Sequence, residues 1–125
     1  MFCAVAIDDV EVLEKISAEC NHKFDRSCTM NLLFILGDRP SGVGCARYLS
    51  SDTIRIEFVG LIEGARGKGF GDFLTRSMIN KVMDLCKVVE VNSKSEYFLK
   101  FGFELVGDVM RAKSEKIVFP SKCKH

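Results

Sequence analysis

No apolar run in these 125 residues approaches the roughly 20 residues that a membrane-spanning helix needs. Charge of one sign is missing too. The net charge is +1, so nothing draws the chain as a whole to nucleic acid or to an anionic membrane, and neither partner is expected. The first fifteen residues, MFCAVAIDDVEVLEK, lack a basic segment and turn acidic at once. That is not a secretory signal, and the expected location is cytoplasmic. Six cysteines are present (Cys3, Cys20, Cys28, Cys45, Cys86 and Cys123), but no C-x-x-C pair occurs. Without a secretory context their even number does not imply disulfides. Cys20, His22 and Cys28 lie close in sequence, yet the spacing matches no ordinary zinc pattern and a fourth ligand is missing, so no metal is expected. Most of the cysteines are expected as small buried hydrophobes. Repeats, low-complexity tracts and linkers are absent, so 1–125 reads as a single domain, with 121–125 as a mobile basic tail. An apolar fraction of 47% is enough for a core.

What is there is organised around residues 54–87. An apolar, β-branched run leads into Arg66-Gly67-Lys68-Gly69-Phe70-Gly71, and a long amphipathic stretch follows. Glycines let a backbone adopt positive φ and approach a ligand closely. A helix's first turn offers unpaired N–H groups and the positive end of its macrodipole. A strand aimed at such a turn is a phosphate-binding device, and Arg66 and Lys68 add positive charge. It is not a P-loop, because Lys68 is followed by Gly69 and not by Ser or Thr. It is not the dinucleotide fingerprint either, because its third glycine, Gly71, comes one residue early. What remains is R-x-x-G-x-G.

Taken in order, the chain predicts a strand over 2–7, then a helix from Asp9 to Cys20 with an acidic start. Residues 21–29 read as a loop. A buried strand over 30–36 follows, then a turn over 37–42 and a partner strand over 42–50, where Val43, Cys45, Arg47 and Leu49 share one phase. Ser51-Asp52 is a second turn and 53–62 the next strand. The helix after the glycine turn is expected over 69–87, then a strand over 88–91 running parallel to 54–62. A short helix over 93–101 ends at Gly102. Two last strands are expected over 103–111 and 114–119, joined near Ala112-Lys113, with Pro120 as the stop.

R-x-x-G-x-G resembles the acetyl-coenzyme A signature of the GCN5-related N-acetyltransferases (GNAT). Tyr97-Phe98-Leu99-Lys100-Phe101-Gly102-Phe103 resembles that family's C-terminal signature, at the family's separation from the first. The resemblance implies an α/β fold: a mixed, mostly antiparallel sheet of six to seven strands flanked by about three helices. It also implies acetyl-coenzyme A as cosubstrate, and acetyl transfer to a primary amine by direct attack in a ternary complex. Residues 66–71 would hold the pyrophosphate. Val59, Gly60 and Leu61 would pair with the pantetheine arm, and an N–H near Gly60 or Leu61 would serve the oxyanion. Gly60 inside a strand reads equally as a bulge, a close backbone approach or a packing glycine.

Glu57 is the one carboxylate within the apolar run and the candidate base, its alternative being a surface charge. Asn92 resembles an asparagine that contacts the coenzyme arm. Phe98 stands where the family has a proton-donating tyrosine, and Tyr97 is its neighbour. That departure keeps open a second reading, a non-catalytic acyl-coenzyme A-binding module. The short 21–29 segment leaves little room for a second helix before the second strand. A homodimer that completes the pocket is the expectation drawn from size.

Overall fold

The structure, a computed structural model, describes residues 1–120; the expectation of a mobile tail at 121–125 lies outside the described residues. Seven strands form one sheet in the order β1-β2-β3-β4-β5-β7-β6. β1 is Phe2–Ala6, β2 Met30–Leu36, β3 Arg39–Ser50, β4 Thr53–Leu61, β5 Val88–Val91, β6 Glu104–Val106 and β7 Val109–Lys113. Every pairing is antiparallel except β4 with β5. That one exception follows from the crossover helix between them, since parallel neighbours cannot be joined by a tight turn.

Two α-helices flank the sheet, α1 (Val10–Glu19) and α2 (Phe70–Met83). Asp9 caps α1, its carboxylate accepting the Val12 N–H at 3.2 Å. α2 packs on one face, over a core that includes Phe34, Ile54, Ile56, Leu74, Met78, Ile79, Val82 and Val89. α1 packs on the other, over a smaller core of Leu13, Ile16, Leu33, Val43 and Cys45. Cys20, Cys28 and Cys45 are buried in that second core as small hydrophobes, whereas Cys3 is exposed. β2 is apolar on both faces apart from the buried Asn31, whose Nδ2 donates to the Cys28 carbonyl, because both of its faces are buried. No helix among the described residues is long and apolar enough to cross a membrane.

Four local expectations are corrected. The six-residue turn 37–42 shrinks to Gly37-Asp38, with Gly37 at φ 69°. β3 then starts early, because a register shift between Phe34 and Ile35 accommodates Pro40, which has no N–H to give a ladder. α2 stops at Met83, not 87, and Lys87 N–H is taken by the Asp52 carbonyl at 2.9 Å on the way into β5. The helix over 93–101 is a 3₁₀ turn, Glu96–Phe101, capped by Ser95, which accepts the Tyr97 N–H. The last hairpin turns at Gly107-Asp108, where Gly107 supplies φ 63°, and not at Ala112-Lys113, which stay in the ladder opposite Val89 and Val88. Residues 114–119 are therefore not a strand. Ser114–Lys116 is a 3₁₀ turn, after which Ile117 is buried in the main core and Val118 N–H donates to the Phe101 carbonyl.

Candidate active site

β4 carries an irregularity that shapes everything near it. Cys45 of β3 faces Phe58, but its neighbour Ala46 faces Ile56, so Glu57 is the extra residue of a β-bulge. The bulge lets Ile56 point into the α2-side core and Phe58 into the α1-side core with only one residue between them. Glu57 is left at the mouth between β4 and β5. The two strands pair only from Thr53 to Ile56 and Val88 to Val91. The Asn92 N–H donates to the Ile56 carbonyl at 2.9 Å, and there they part.

Beyond that point β4 runs on with one edge open. Ile62 N–H donates to Ser41 on β3, and backbone direction alternates, so Gly60 and Phe58 also turn their N–H and C=O groups toward β3. Val59 and Leu61 turn theirs into the gap. The Leu61 carbonyl already accepts the Arg66 Nε at 3.1 Å, which ties the glycine turn to the strand end. Of the backbone N–H groups expected to pair with a coenzyme arm, those of Val59 and Leu61 turn into the gap, and that of Gly60 turns toward β3. The open edge forms one wall of a cleft of about 270 Å³, closed by Thr75, Asn92, Tyr97 and Phe98.

Gly60 is a packing glycine. A Cβ there would stand 2.4 Å from Cζ of Phe58, whose ring lies over it. On its other side Phe58 stacks on His22, centroids 3.8 Å apart and planes 3° apart. Burial lowers the His22 pKa, against the opposing pull of Asp25 and Glu57.

Below the open edge lies the glycine turn. Ala65 is buried and anchors it. Gly67 and Gly69 have φ 80° and 84°, and a Cβ at either would meet nothing within 4 Å. Gly69 is the N-cap of α2, with no side chain satisfying the helix start. The N–H groups of Phe70 and Gly71 therefore open outward at the positive end of α2, with Lys68 exposed beside them. Phe70 is half-buried against Phe34 and Phe2.

A carboxylate in that first turn would repel an anion. Asp72 is instead engaged by Arg76 at 2.8 Å, by Lys100 at 3.8 Å and by the Tyr97 hydroxyl. Although burial opposes it, hydrogen bonds from Tyr97 and Arg76 hold the Asp72 carboxyl below the usual range. Burial, and then the bond to Asp72, push the Tyr97 phenol well above its usual value. Tyr97 thus lines the cleft, but its proton is given to Asp72. Phe98 also lines the cleft, is buried, and has no hydroxyl.

Glu57 has both oxygens occupied. Arg47 Nε donates to Oε2 at 2.5 Å and Asn92 Nδ2 to Oε1 at 3.1 Å. Asn92, which also lines the cleft, thus meets the carboxylate. Arg47 is the site residue that sequence reasoning missed. Its signal was a lone charge in the phase of Val43 and Cys45, where the face is otherwise apolar. The Asp72–Tyr97 contact carried no sequence signal at all. Among the described residues no three metal-binding side chains gather.

A sheet that splays after its single parallel pair, beside a glycine turn at a helix start, is the layout of the acyl-coenzyme A N-acyltransferase fold. No family model and no curated protein sequence matches the chain, but solved structures do. Naa50 from Arabidopsis thaliana, in complex with the bisubstrate analogue CoA-Ac-MVNAL, superposes with a TM-score of 0.69 at 14% identity, covering 90% of this chain and 98% of that one. Ard1 from Thermoplasma volcanium gives 0.68 at 12%, covering 90% and 97%. A GNAT family acetyltransferase from Elizabethkingia anophelis with acetyl-CoA bound gives 0.61 at 13%, covering 84% and 77%. The chain has the fold of the GCN5-related N-acetyltransferases, as the two sequence landmarks led one to expect.

Proposed function

We propose that the protein transfers an acetyl group from acetyl-coenzyme A to a primary amine. The observation that carries this reading is the open edge of β4, with Val59 and the Leu61 N–H turned into the gap, leading straight to the uncapped start of α2. A pantetheine arm is an amide chain and would complete that edge as a short strand. Its pyrophosphate would meet the N–H groups of residues 67–71, with Lys68 and the rest of the Arg66 guanidinium in support. Phe98 and Asn92 would pack against the arm.

The chemistry needs a base, an oxyanion donor and a leaving group. Glu57 takes the proton of the bound ammonium, directly or through a water. The freed nitrogen attacks the thioester carbon, and the Leu61 N–H donates to the oxygen as charge develops there. The N–C bond forms, the C–S bond breaks, and the second proton that the nitrogen sheds on becoming an amide passes through solvent to the departing thiolate. A thiol pKa near 8.5 makes that departure easy. Phe98 in the tyrosine position is therefore compatible with turnover, and Tyr97 does not replace it while its proton serves Asp72.

The second reading, an acyl-coenzyme A-binding module without catalysis, draws on Phe98 and on the full occupancy of the Glu57 oxygens. A homodimer closing the acceptor side belongs to the same proposal, and its test is the mass in solution. The deciding experiment is thermal unfolding with acetyl-coenzyme A, coenzyme A and ATP at equal concentration, followed by an amine screen that reads released thiol. At 100 times its dissociation constant a ligand adds about 2.7 kcal/mol, worth several degrees here. Both coenzymes should raise the transition and ATP should not, and Arg66→Glu should abolish the rise. Turnover lost in Glu57→Gln with binding kept excludes the second reading. No rise with either coenzyme overturns the proposal.

A further inference from the structure

α2 and the glycine turn occupy one face of the sheet, so a coenzyme held there leaves the opposite face to the acceptor. That face carries an unbroken row of charges. The strand registers set Arg47 beside Arg55, Arg55 beside Glu90, Glu90 beside Arg111 and Arg111 beside Glu104, across β3, β4, β5, β7 and β6. Arg55 donates to Glu90 Oε1 at 2.9 and 3.1 Å, and Arg111 to Oε2. Arg47 turns the other way, to Glu57. Both helix α2 and the 3₁₀ turn Glu96–Phe101 lie on the far side, and α1 covers the second core at the β1–β3 end. The row is thus a strip of three guanidinium groups open at the base's side of the cleft.

Resting on the acetyltransferase reading, we infer that the acceptor is a small amine bearing its own carboxylate, as an α-amino acid does, and that Arg47 selects it. The argument is one of exchange. An amine can give its proton to Glu57 only at an oxygen, and Arg47 holds one of them. The Arg47 side chain is 31% exposed and Glu57 11%, so the pair can open toward solvent on the guanidinium side. An α-amino acid zwitterion matches the pair in reverse: its ammonium replaces Arg47 on Glu57, and its carboxylate takes the freed guanidinium, which suits bidentate carboxylate recognition. Every charge is re-partnered. A polyamine takes Glu57 from Arg47, leaves that arginine beside Arg55 with only the exposed Asp25 as a nearby counter-charge among the described residues, and adds a further cation to the strip. An amino-acid amide leaves the same guanidinium with no carboxylate in contact. The reaction then balances as before: one ammonium proton passes to Glu57, N–C forms, C–S breaks, and the second nitrogen proton passes through solvent to the thiolate.

The test uses the full chain, acetyl-coenzyme A and three matched probes: the common L-amino acids, their α-carboxamides, and spermidine. Thiol release gives kcat and KM for each. At least one free amino acid should exceed its own amide and spermidine in kcat/KM by about 10-fold or more, the discrimination expected of one charge-assisted contact. Arg47→Ala should raise KM for the acid by about 10- to 100-fold without raising KM for the amide, whose ammonium no longer competes with Arg47 for Glu57, and Arg47→Lys should recover part of the loss. Preference for spermidine or the amide overturns the inference. So does an Arg47→Ala variant that loses acid and amide equally, because a merely structural role would do that. A protein that acetyl-coenzyme A stabilises but that turns over no probe overturns the acceptor assignment alone. One that the coenzyme does not stabilise overturns the coenzyme reading first.

Discussion

Two glycines of similar backbone geometry separate the structural from the functional use of positive φ. Gly67 has φ 80° and open space around it; Gly102 has φ 97° and would set a Cβ 2.7 Å from the Lys116 carbonyl oxygen. For Gly67→Ala only the backbone matters. The left-handed conformation costs roughly 1–2 kcal/mol, of which about 0.4–1 returns through a stiffer unfolded chain, leaving a net loss of about 1 kcal/mol. Gly102→Ala meets the same strain and then a contact that no rotamer can relieve, because the obstructing atom is main chain. The 3₁₀ turn Ser114–Lys116 must shift, and buried Ile117 and the 3.0 Å bond from Val118 to Phe101 move with it. Overpacking of this kind adds about 1–3 kcal/mol, for a total near 2–4 kcal/mol. Urea unfolding at constant m-value measures both. Calorimetric titration with acetyl-coenzyme A should show the opposite order: Gly67→Ala weakens binding about 10-fold or more, since its methyl enters the space left for phosphate, while folded Gly102→Ala keeps the affinity of the parent. Equal stability losses would refute the contact argument, and a binding defect confined to Gly102→Ala would refute the placement of the coenzyme.

Further outcomes can be checked with simpler assays. In a Cys123→Ser background, Cys3 should react with an aromatic disulfide within seconds at mildly alkaline pH, while Cys28 and Cys45, pushed up to about 12 mainly by burial, should wait for unfolding. Rapid labelling of either would show that the second core opens. His22 is held below its ordinary value of 6.5. Below that value the unfolded chain therefore binds the proton that the folded one resists, so His22's contribution is present above 6.5 and is lost as pH falls through the folded pKa. His22→Phe keeps a ring on Phe58 and should flatten that slope in urea titrations, whereas parallel curves would sink the account. Tyr97→Phe should cost about 1–2 kcal/mol and move the Asp72 titration upward, read by carbonyl NMR, because one donor to that carboxylate is gone. An unmoved Asp72 would mean that the Tyr97 hydroxyl does not set it.

Legibility in the sequence followed how local each determinant is. β2 and β5 were read to the residue, because apolar runs bounded by turn signals need no distant partner to be recognised. The start of α2 was equally plain, since Gly67 and Gly69 announce positive φ. The last hairpin was misplaced because its turn, Gly107-Asp108, lies inside a stretch whose alternation continues on both sides, and only pairing with β5 shows that Ala112 and Lys113 belong to the ladder. The 3₁₀ form of Glu96–Phe101 was hidden as well, since a capping serine and a closing glycine look alike for either helix. At the site, Glu57 stood out as a carboxylate in an apolar run. Its partners did not: Arg47 is ten residues away and Asn92 thirty-five, and both contacts depend on a bulge that no residue type marks.

That bulge links fold to chemistry. Without it, Glu57 would follow strict alternation between Ile56 and Phe58, both of which are needed in cores on opposite faces. One inserted residue satisfies both cores and frees Glu57 from either face. It sits one step before the point where Asn92 leaves β5, so the proposed base, the splay and the open edge of Val59 and Leu61 arise within five residues of one strand. Removing the bulge would reverse the facing of every residue from 57 to 61, putting Phe58 toward α2 and turning the Gly60 N–H into the gap. The packing of Phe58 between Gly60 and His22 opposes that slip, because it can form only in the present register. The aromatic sandwich on the acceptor side is therefore what keeps the coenzyme edge in phase. Substituting Phe58 by Ala should impair coenzyme binding as well as stability, although the Phe58 ring points into the α1-side core and away from the glycine turn.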